Sequence, residues 1–283
     1  MLTRERVYLM PREGEVPAES VQLEVEGWAL LPGVFDPPEV AALRDELDAV
    51  YARIPADDRT GGARDPAEDE DFRYEMFNRS PLAQRAIAHE AILAVIEPLL
   101  GEDCHVIANT CWRNPPRAEH EHGGGNWHVD SGPHVPRAEG IPWDDRIPYP
   151  VFAIGAHLYV QDCPLACGPT GVIPGSHRSG RPPPFDRLQD VDLTCDGVGV
   201  RPLEARAGDV ALFVSDVWHR RLPTTAGDRG RFFLQAHYGR RDIAQRVRPT
   251  AAVNHVSAEA EARAASARER RLLGLHPPFF YDG

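Results

Sequence analysis

RFFLQAHY, residues 231–238, alternates without a break. Arg231, Phe233, Gln235 and His237 share one face, and Phe232, Leu234, Ala236 and Tyr238 share the other. A period of two is the signature of a β-strand. One face is wholly apolar and belongs against a core. The other carries a guanidinium, an amide and an imidazole into what must be an interior. An arginine turned into a barrel is costly unless something pairs with it.

Working outward, further short β-like runs are predicted at 104–113, 126–130, 151–161, 170–174 and 209–218, with the last strand over 231–239. Gly- and Pro-rich connections separate them, and two of these, 131–150 and 175–200, are long enough to suggest function. Ahead of the strands, 27–33 (GWALLPG) reads as a short strand. Residues 37–53 read as a helix with Val40, Leu43, Leu47 and Val50 on one face and Asp36 as N-cap. Residues 55–72 are polar and acidic and read as a long loop. A second helix is predicted from Ser80-Pro81 through AILAVIEPLL to Gly101. A last polar helix is predicted over 258–273. Helices first, many strands next, and a helix at the end predict a mainly β fold with flanking helices, a β-barrel or jelly roll. The expectation is one domain over 1–283, with its core at about 22–240 and a C-terminal helical extension over 241–283.

The chain has 283 residues, of which 42% are hydrophobic, and this is enough for a sizeable core. Cys104, Cys111, Cys163, Cys167 and Cys195 are odd in number and scattered, which argues against a disulfide framework. CPLAC (163–167) lacks the second pair that a zinc site needs. A net charge of −12 disfavours nucleic acid and anionic membranes as partners. Every basic residue is arginine, which reads as coding bias. The charged N-terminus has no signal-peptide core, and no run reaches the length of a membrane span, so a cytoplasmic location is expected.

The chemistry concentrates in HEHGGGNWHVDSGPH, residues 120–134. Within it, WHVD places His128 and Asp130 two residues apart on a predicted strand, so both side chains face one way. His219, at the end of DVWH, is the best third ligand. Two histidines and one carboxylate on one side of an ion leave its other positions open, the arrangement of non-heme Fe(II) oxygenases. His120 and His122 form an H-x-H as in cupins, but GGGNW follows where a cupin would supply a glutamate. They are assigned, with His134, to loops over the site, where exposed polar residues are the plainer reading. A dicarboxylate bound to the metal would pair with Arg231, because a guanidinium fork meets a carboxylate in two hydrogen bonds.

The set WHVD (127–130), GPTGVIPGSHRSG (168–180), AGDVALFVSDVWH (207–219) and Arg231, in that order, resembles the phytanoyl-CoA dioxygenase family of Fe(II)/2-oxoglutarate oxygenases. EGWALLPGVFDPPEVAALRDEL (26–47) resembles that family's opening, and the likeness spans roughly 22–240. It implies a double-stranded β-helix, with His128, Asp130 and His219 as iron ligands. Arg231 matches the arginine that takes the distal carboxylate of 2-oxoglutarate, with Arg229 as a rival in the preceding turn. Asn109 lies on the strand before H-x-D, where relatives often place an amide near the cosubstrate, and His157 is expected to face the same cavity; a sheet-face polar residue and a satisfied core histidine are the alternative readings.

The resemblance further implies consumption of 2-oxoglutarate and O2, release of succinate and CO2, and oxidation of a C–H bond of a small molecule. Hydroxylation is expected first, with desaturation, epoxidation or ring closure open. Related halogenases lack the carboxylate ligand, so Asp130 points to oxygenation. Two departures stand out. Arg221 occupies a position where the family often has a small hydroxyl residue, and no basic cluster suits the phosphates of CoA. Segments 65–72, 131–150 and 175–200 are the expected lid and specificity elements, with Trp143 and RPPP (181–184) near the entrance. The alternatives are a zinc hydrolase on the same ligands and a barrel that binds a small ligand without chemistry.

Overall fold

The computed structural model describes residues 16–54, 72–116, 123–130, 132–244 and 256–277. Helix α1 (Ala18–Glu26) precedes strand β1 (Trp28–Leu31), and helix α2 (Pro37–Arg53) follows. The start of α2 is set by a reciprocal cap: Glu39 N donates to the Asp36 carboxylate, and Asp36 N donates to the Glu39 carboxylate, each at 2.8 Å. Strand β2 (Phe72–Tyr74) and helices α3 (Met76–Arg79), α4 (Pro81–Ala86) and α5 (Glu90–Leu100) come next. The helix expected over 80–101 is thus two helices. His89 adopts an extended conformation and its ring nitrogen caps α5 by accepting from Ala91 N, which breaks the run. Helix α1 and strand β2 were not anticipated. The rest of the 55–72 loop lies outside the described residues.

The strands are β3 (His105–Asn114), β4 (Ala153–Tyr159), β5 (Thr170–Val172), β6 (Arg201–Pro202), β7 (Val210–Val214), β8 (His219–Arg221) and β9 (Arg231–Gly239). Among the described residues they form two antiparallel sheets, of order β1-β7-β4-β9-β3-β2 and β6-β5-β8. Strand β9 lies between β4 and β3, with Leu234 opposite both Leu158 and Cys111. Its apolar face, Phe232, Leu234, Ala236 and Tyr238, joins Ile154, Ala156, Leu158, Val210 and Leu212 in a core shared with Leu43, Leu47, Ile92 and Ile96 of the helices. Its other face enters a second cluster, where Phe233 meets Tyr159, Phe213 and Val172 across the sheets. Two sheets closed over an inner cluster and backed by helices are the jelly roll the alternation predicts. Burying each of these large side chains contributes about 1.5–3 kcal/mol.

Helices α6 (Ala258–Arg263) and α7 (Ala267–Leu272) replace the single C-terminal helix expected over 258–273. Ser266 is extended and caps α7. Both dock back on the first helices: Arg268 Nε lies 2.6 Å from the buried Glu97 carboxylate, and Arg263 donates to the Phe77 carbonyl at 2.7 Å. No described helix is long and apolar enough to cross a membrane. All five cysteines are buried and free.

Candidate metal centre

The predicted strand at 126–130 reduces to a single antiparallel bridge between His128 and His219. That bridge is what builds the site. His128 N donates to the His219 carbonyl and His219 N to the His128 carbonyl, both at 3.0 Å; Asp130 N donates to the Ser215 carbonyl at 3.0 Å. The main chain therefore delivers all three side chains to one place. One donor atom from each of His128, Asp130 and His219 lies within 4.8 Å of the others. Asp130 Oδ1 is 3.4 Å from His219 Nε2 and 3.9 Å from His128 Nε2.

The histidine tautomers suit a metal. His128 Nδ1 lies 2.8 Å from the Asn126 carbonyl, and His219 Nδ1 lies 2.9 Å from the Val217 carbonyl. A carbonyl only accepts, so each Nδ1 carries the proton and each Nε2 turns its lone pair to the site. Burial opposes ionisation of Asp130, but the His219 and His237 imidazoles outweigh it and hold the carboxyl well below its usual range. Burial disfavours the charged form of His219, and the facing Asp130 reverses this and raises its pKa. Burial, followed by the neighbouring His219, lowers that of His128. The site opens on the His128 side, whose side chain is 51% exposed against 6% for His219. Two imidazoles and an ionised carboxylate with one open flank fit Fe(II).

His237 belongs to this site although its role went unassigned in the sequence. Its Nε2 bonds the second oxygen of Asp130 at 2.8 Å. The alternation of β9 had placed it on the inner face, but only the fold could supply its partner. Gly155 on β4 makes room: a Cβ there would stand 2.5 Å from Phe213 Cζ and 2.8 Å from His237 Nε2.

Farther along the same inner face, Gln235 Oε1 accepts from Trp112 Nε1 at 2.8 Å and Thr110 Oγ1 at 3.1 Å. Arg231 is 7% exposed. Its Nε donates to Asn114 Oδ1 at 2.6 Å, and Nη1 reaches the Gly168 carbonyl at 3.4 Å. Arg229 is exposed in the turn outside the barrel, where its carbonyl accepts from Gln161. His157 lies inside, 3.3 Å from Thr170 Oγ1, with its ring 4.3 Å from that of Phe233. Burial, reinforced by the charge of Arg231, holds its pKa well below the usual value, so the ring is neutral.

Two expectations meet a different arrangement. Asn109 has its amide engaged by the backbone: Oδ1 accepts from Phe77 N at 2.7 Å and Nδ2 donates to the Gln235 carbonyl at 2.8 Å. It is fully buried and fastens β3 to β9 and to α3. His134 is no open loop residue. Its ring bonds Asp216 and stacks on Phe152, while the Tyr149 hydroxyl donates to the same carboxylate at 2.8 Å. His120 and His122 lie outside the described residues, as does most of segment 65–72. The long loops 131–150 and 175–200 are tied together: Arg137 N donates to the Gly180 carbonyl at 3.0 Å, and Arg181 pairs with Glu139 at 2.8 Å. Trp143 packs under Arg137 in that assembly.

A model of the phytanoyl-CoA dioxygenase family matches residues 23–230. The chain belongs to the phytanoyl-CoA dioxygenase family. It is accordingly an enzyme, an Fe(II)/2-oxoglutarate-dependent oxygenase. No curated protein sequence matches it significantly. Solved structures of similar fold include EctD from S. alaskensis with 2-oxoglutarate and 5-hydroxyectoine, at 21% identity and TM-score 0.61, covering 84% of this chain and 81% of EctD. HygX from Streptomyces hygroscopicus with nickel, 2-oxoglutarate and hygromycin B has 20% identity and TM-score 0.58, covering 80% of this chain and 88% of HygX. The epimerase SnoN with Fe3+, alpha ketoglutarate and nogalamycin RO has 19% identity and TM-score 0.58, covering 78% and 82%.

Proposed function

We propose that this family member holds Fe(II) on His128, Asp130 and His219, takes the distal carboxylate of 2-oxoglutarate on Arg231, and oxidises a C–H bond of a small molecule. The observation that carries the reading is the convergence of two imidazole Nε2 atoms and one carboxylate at an open-sided point. The buried guanidinium of Arg231 farther down the same barrel face supports it. A zinc hydrolase would have no use for that arginine.

Iron bound there would couple oxidative decarboxylation of 2-oxoglutarate, with release of succinate and CO2, to oxidation of the substrate. The protein's own part is positioning. The Asn126 and Val217 carbonyls fix the two tautomers. His237 occupies Asp130 Oδ2 and leaves Oδ1 toward the histidines. Phe213, Phe233 and Val172 wall the barrel and keep water from the cosubstrate. Neutral His157 lines the wall between the metal ligands and Arg231 without adding charge. Asp130 fills the ligand position that a halide would need, which favours oxygenation.

The substrate enters on the exposed His128 flank, with loops 131–150 and 175–200 shaping its selection. Hydroxylation is the reaction assigned first, and ring closure stays within reach of the same chemistry. Relatives in fold bind molecules as different as hygromycin B and 5-hydroxyectoine, so the substrate class is a small metabolite.

The test needs no substrate. The protein, loaded with Fe(II) without oxygen, is titrated with 2-oxoglutarate while the weak visible metal-to-ligand charge-transfer band is followed. A saturable band is expected, and Arg231→Ala should retain iron while weakening 2-oxoglutarate. No band, with zinc retained through purification, would overturn the reading in favour of hydrolysis.

A further inference from the structure

We infer that Trp112 is a positioning residue for the metal centre: acting through Gln235 and His237, its indole sets which oxygen of Asp130 is left for a metal. The inference rests on the metal centre proposed above and goes beyond it.

Four side chains form one line of hydrogen bonds. Trp112 Nε1 donates to Gln235 Oε1 at 2.8 Å, Gln235 Nε2 lies 3.4 Å from His237 Nδ1, and His237 Nε2 lies 2.8 Å from Asp130 Oδ2. The two ends fix the direction in which the line runs. An indole nitrogen only donates, and an ionised carboxylate only accepts. The amide and the imidazole between them can each be turned either way. The indole decides the first: Gln235 presents its oxygen to Trp112 and so its NH2 group to His237. That group only donates, so His237 Nδ1 carries a lone pair. The neutral ring then has its proton on Nε2, where the carboxylate needs a donor. All three links agree in polarity.

Turning the amide round would set two N–H donors against each other at Trp112. It would also draw the imidazole proton to Nδ1 and leave a lone pair facing Asp130 Oδ2. Thr110 Oγ1 reaches Gln235 Oε1 as well, at 3.1 Å, but a hydroxyl can donate or accept and imposes no direction.

Sheet register places the indole. Thr110 stands opposite Gln235 across β3 and β9, and Trp112 is the next residue on that face of β3, within diagonal reach. From the other side β2 sets Phe72 opposite Trp112. The Phe72 ring meets the indole at 4.4 Å with 74° between the planes, and Tyr74 meets Phe72 at 4.5 Å. The three residues of β2 thus hold the ring whose N–H starts the line. The link between Gln235 and His237 is the longest and therefore the weakest, and it limits what Trp112 can transmit.

The experiment uses the full chain, labelled with 15N. Long-range proton–nitrogen NMR spectra of the metal-free protein read the His237 tautomer, assigned by its loss in His237→Ala. Ni(II) affinity is measured by competition with a chelator. Wild type should hold His237 with its proton on Nε2, and Trp112→Phe should populate both tautomers. Trp112→Phe should weaken nickel about 3- to 10-fold, the scale of one neutral hydrogen bond. In the His237→Ala background the same substitution should change nickel affinity no further, because its route to Asp130 is gone. Gln235→Leu reads the same line if Trp112→Phe does not fold. An unaltered tautomer in Trp112→Phe, or an equal loss of nickel affinity in both backgrounds, would leave Trp112 a packing role and overturn the inference alone. Wild-type protein that binds no nickel would overturn the metal-centre reading and the inference with it.

Discussion

His237 Nε2 stands 2.8 Å from Asp130 Oδ2, on the opposite side of the carboxylate from His219. On the proposed site this contact leaves Oδ1 as the oxygen that would face a metal, and without it the carboxylate would be free to rotate. His237→Ala should lower Fe(II) affinity about 10- to 100-fold, the usual cost of losing a group that orients a ligand. His237→Gln should recover part of it. Competition titration against a metal chelator reads the effect, and wild-type affinity in both variants would deny His237 this role.

Gly155 protects the same contact sterically. Its missing side chain leaves space that Phe213 and His237 fill from two sides. Gly155→Ala should cost about 1–3 kcal/mol of stability through overpacking. It should also reduce metal affinity, because the ring that yields is the one holding Asp130. Urea unfolding and metal titration on the same sample separate the two effects. A variant less stable but unchanged in metal binding would show that Phe213 gives way instead.

Asn109 should behave as a structural residue. Replacing it by Ala removes the side-chain partner of the buried Phe77 amide and of the half-buried Gln235 carbonyl. The expected loss is about 2–4 kcal/mol in unfolding free energy. The affinity of the surviving folded protein for 2-oxoglutarate should not change. A selective loss of cosubstrate binding at wild-type stability would return Asn109 to the site.

His177 supplies a pH signature. It is buried, its ring bonded to the Glu24 carbonyl at 3.0 Å, and burial pushes its pKa from 6.5 down to about 3. Below 6.5 the unfolded chain takes up a proton that the folded one refuses. Stability is therefore intact above that pH and falls as pH drops toward 3, by about 1.4 kcal/mol per pH unit. His177→Gln removes this component. Between pH 7 and pH 5 the stability gap between wild type and variant should shift by about 2 kcal/mol in favour of the variant. Parallel pH profiles would contradict it.

What could be read in advance follows from where the determinants lie. Helix α2 announces itself because its cap, Asp36 with Glu39, is local. Strand β9 does so because its alternation runs unbroken from Arg231. The break between α4 and α5 was hidden, since the capping group there is a histidine ring in a sequence that otherwise favours helix. Strand β2 was hidden in an acidic stretch, because three residues carry no period, and its pairing partner Trp112 lies far along the chain. At the site, the three residues that converge, His128, Asp130 and His219, could be picked out in the sequence, but the strand that seemed to carry His128 and Asp130 is one bridge. The partnership of His237 with Asp130 spans 107 positions and exists only once the sheets close.

The reciprocal main-chain pair between His128 and His219 has a consequence for how the centre can fail. Both residues are set facing the site by a hydrogen-bond register between two main-chain segments. A slip of segment 123–130 by one residue would present Val129 opposite β8 and turn two ligands away together. The enzyme is thus vulnerable to changes that touch no ligand at all. Any substitution that lets this short segment slide against its neighbour would erase activity while leaving the barrel folded.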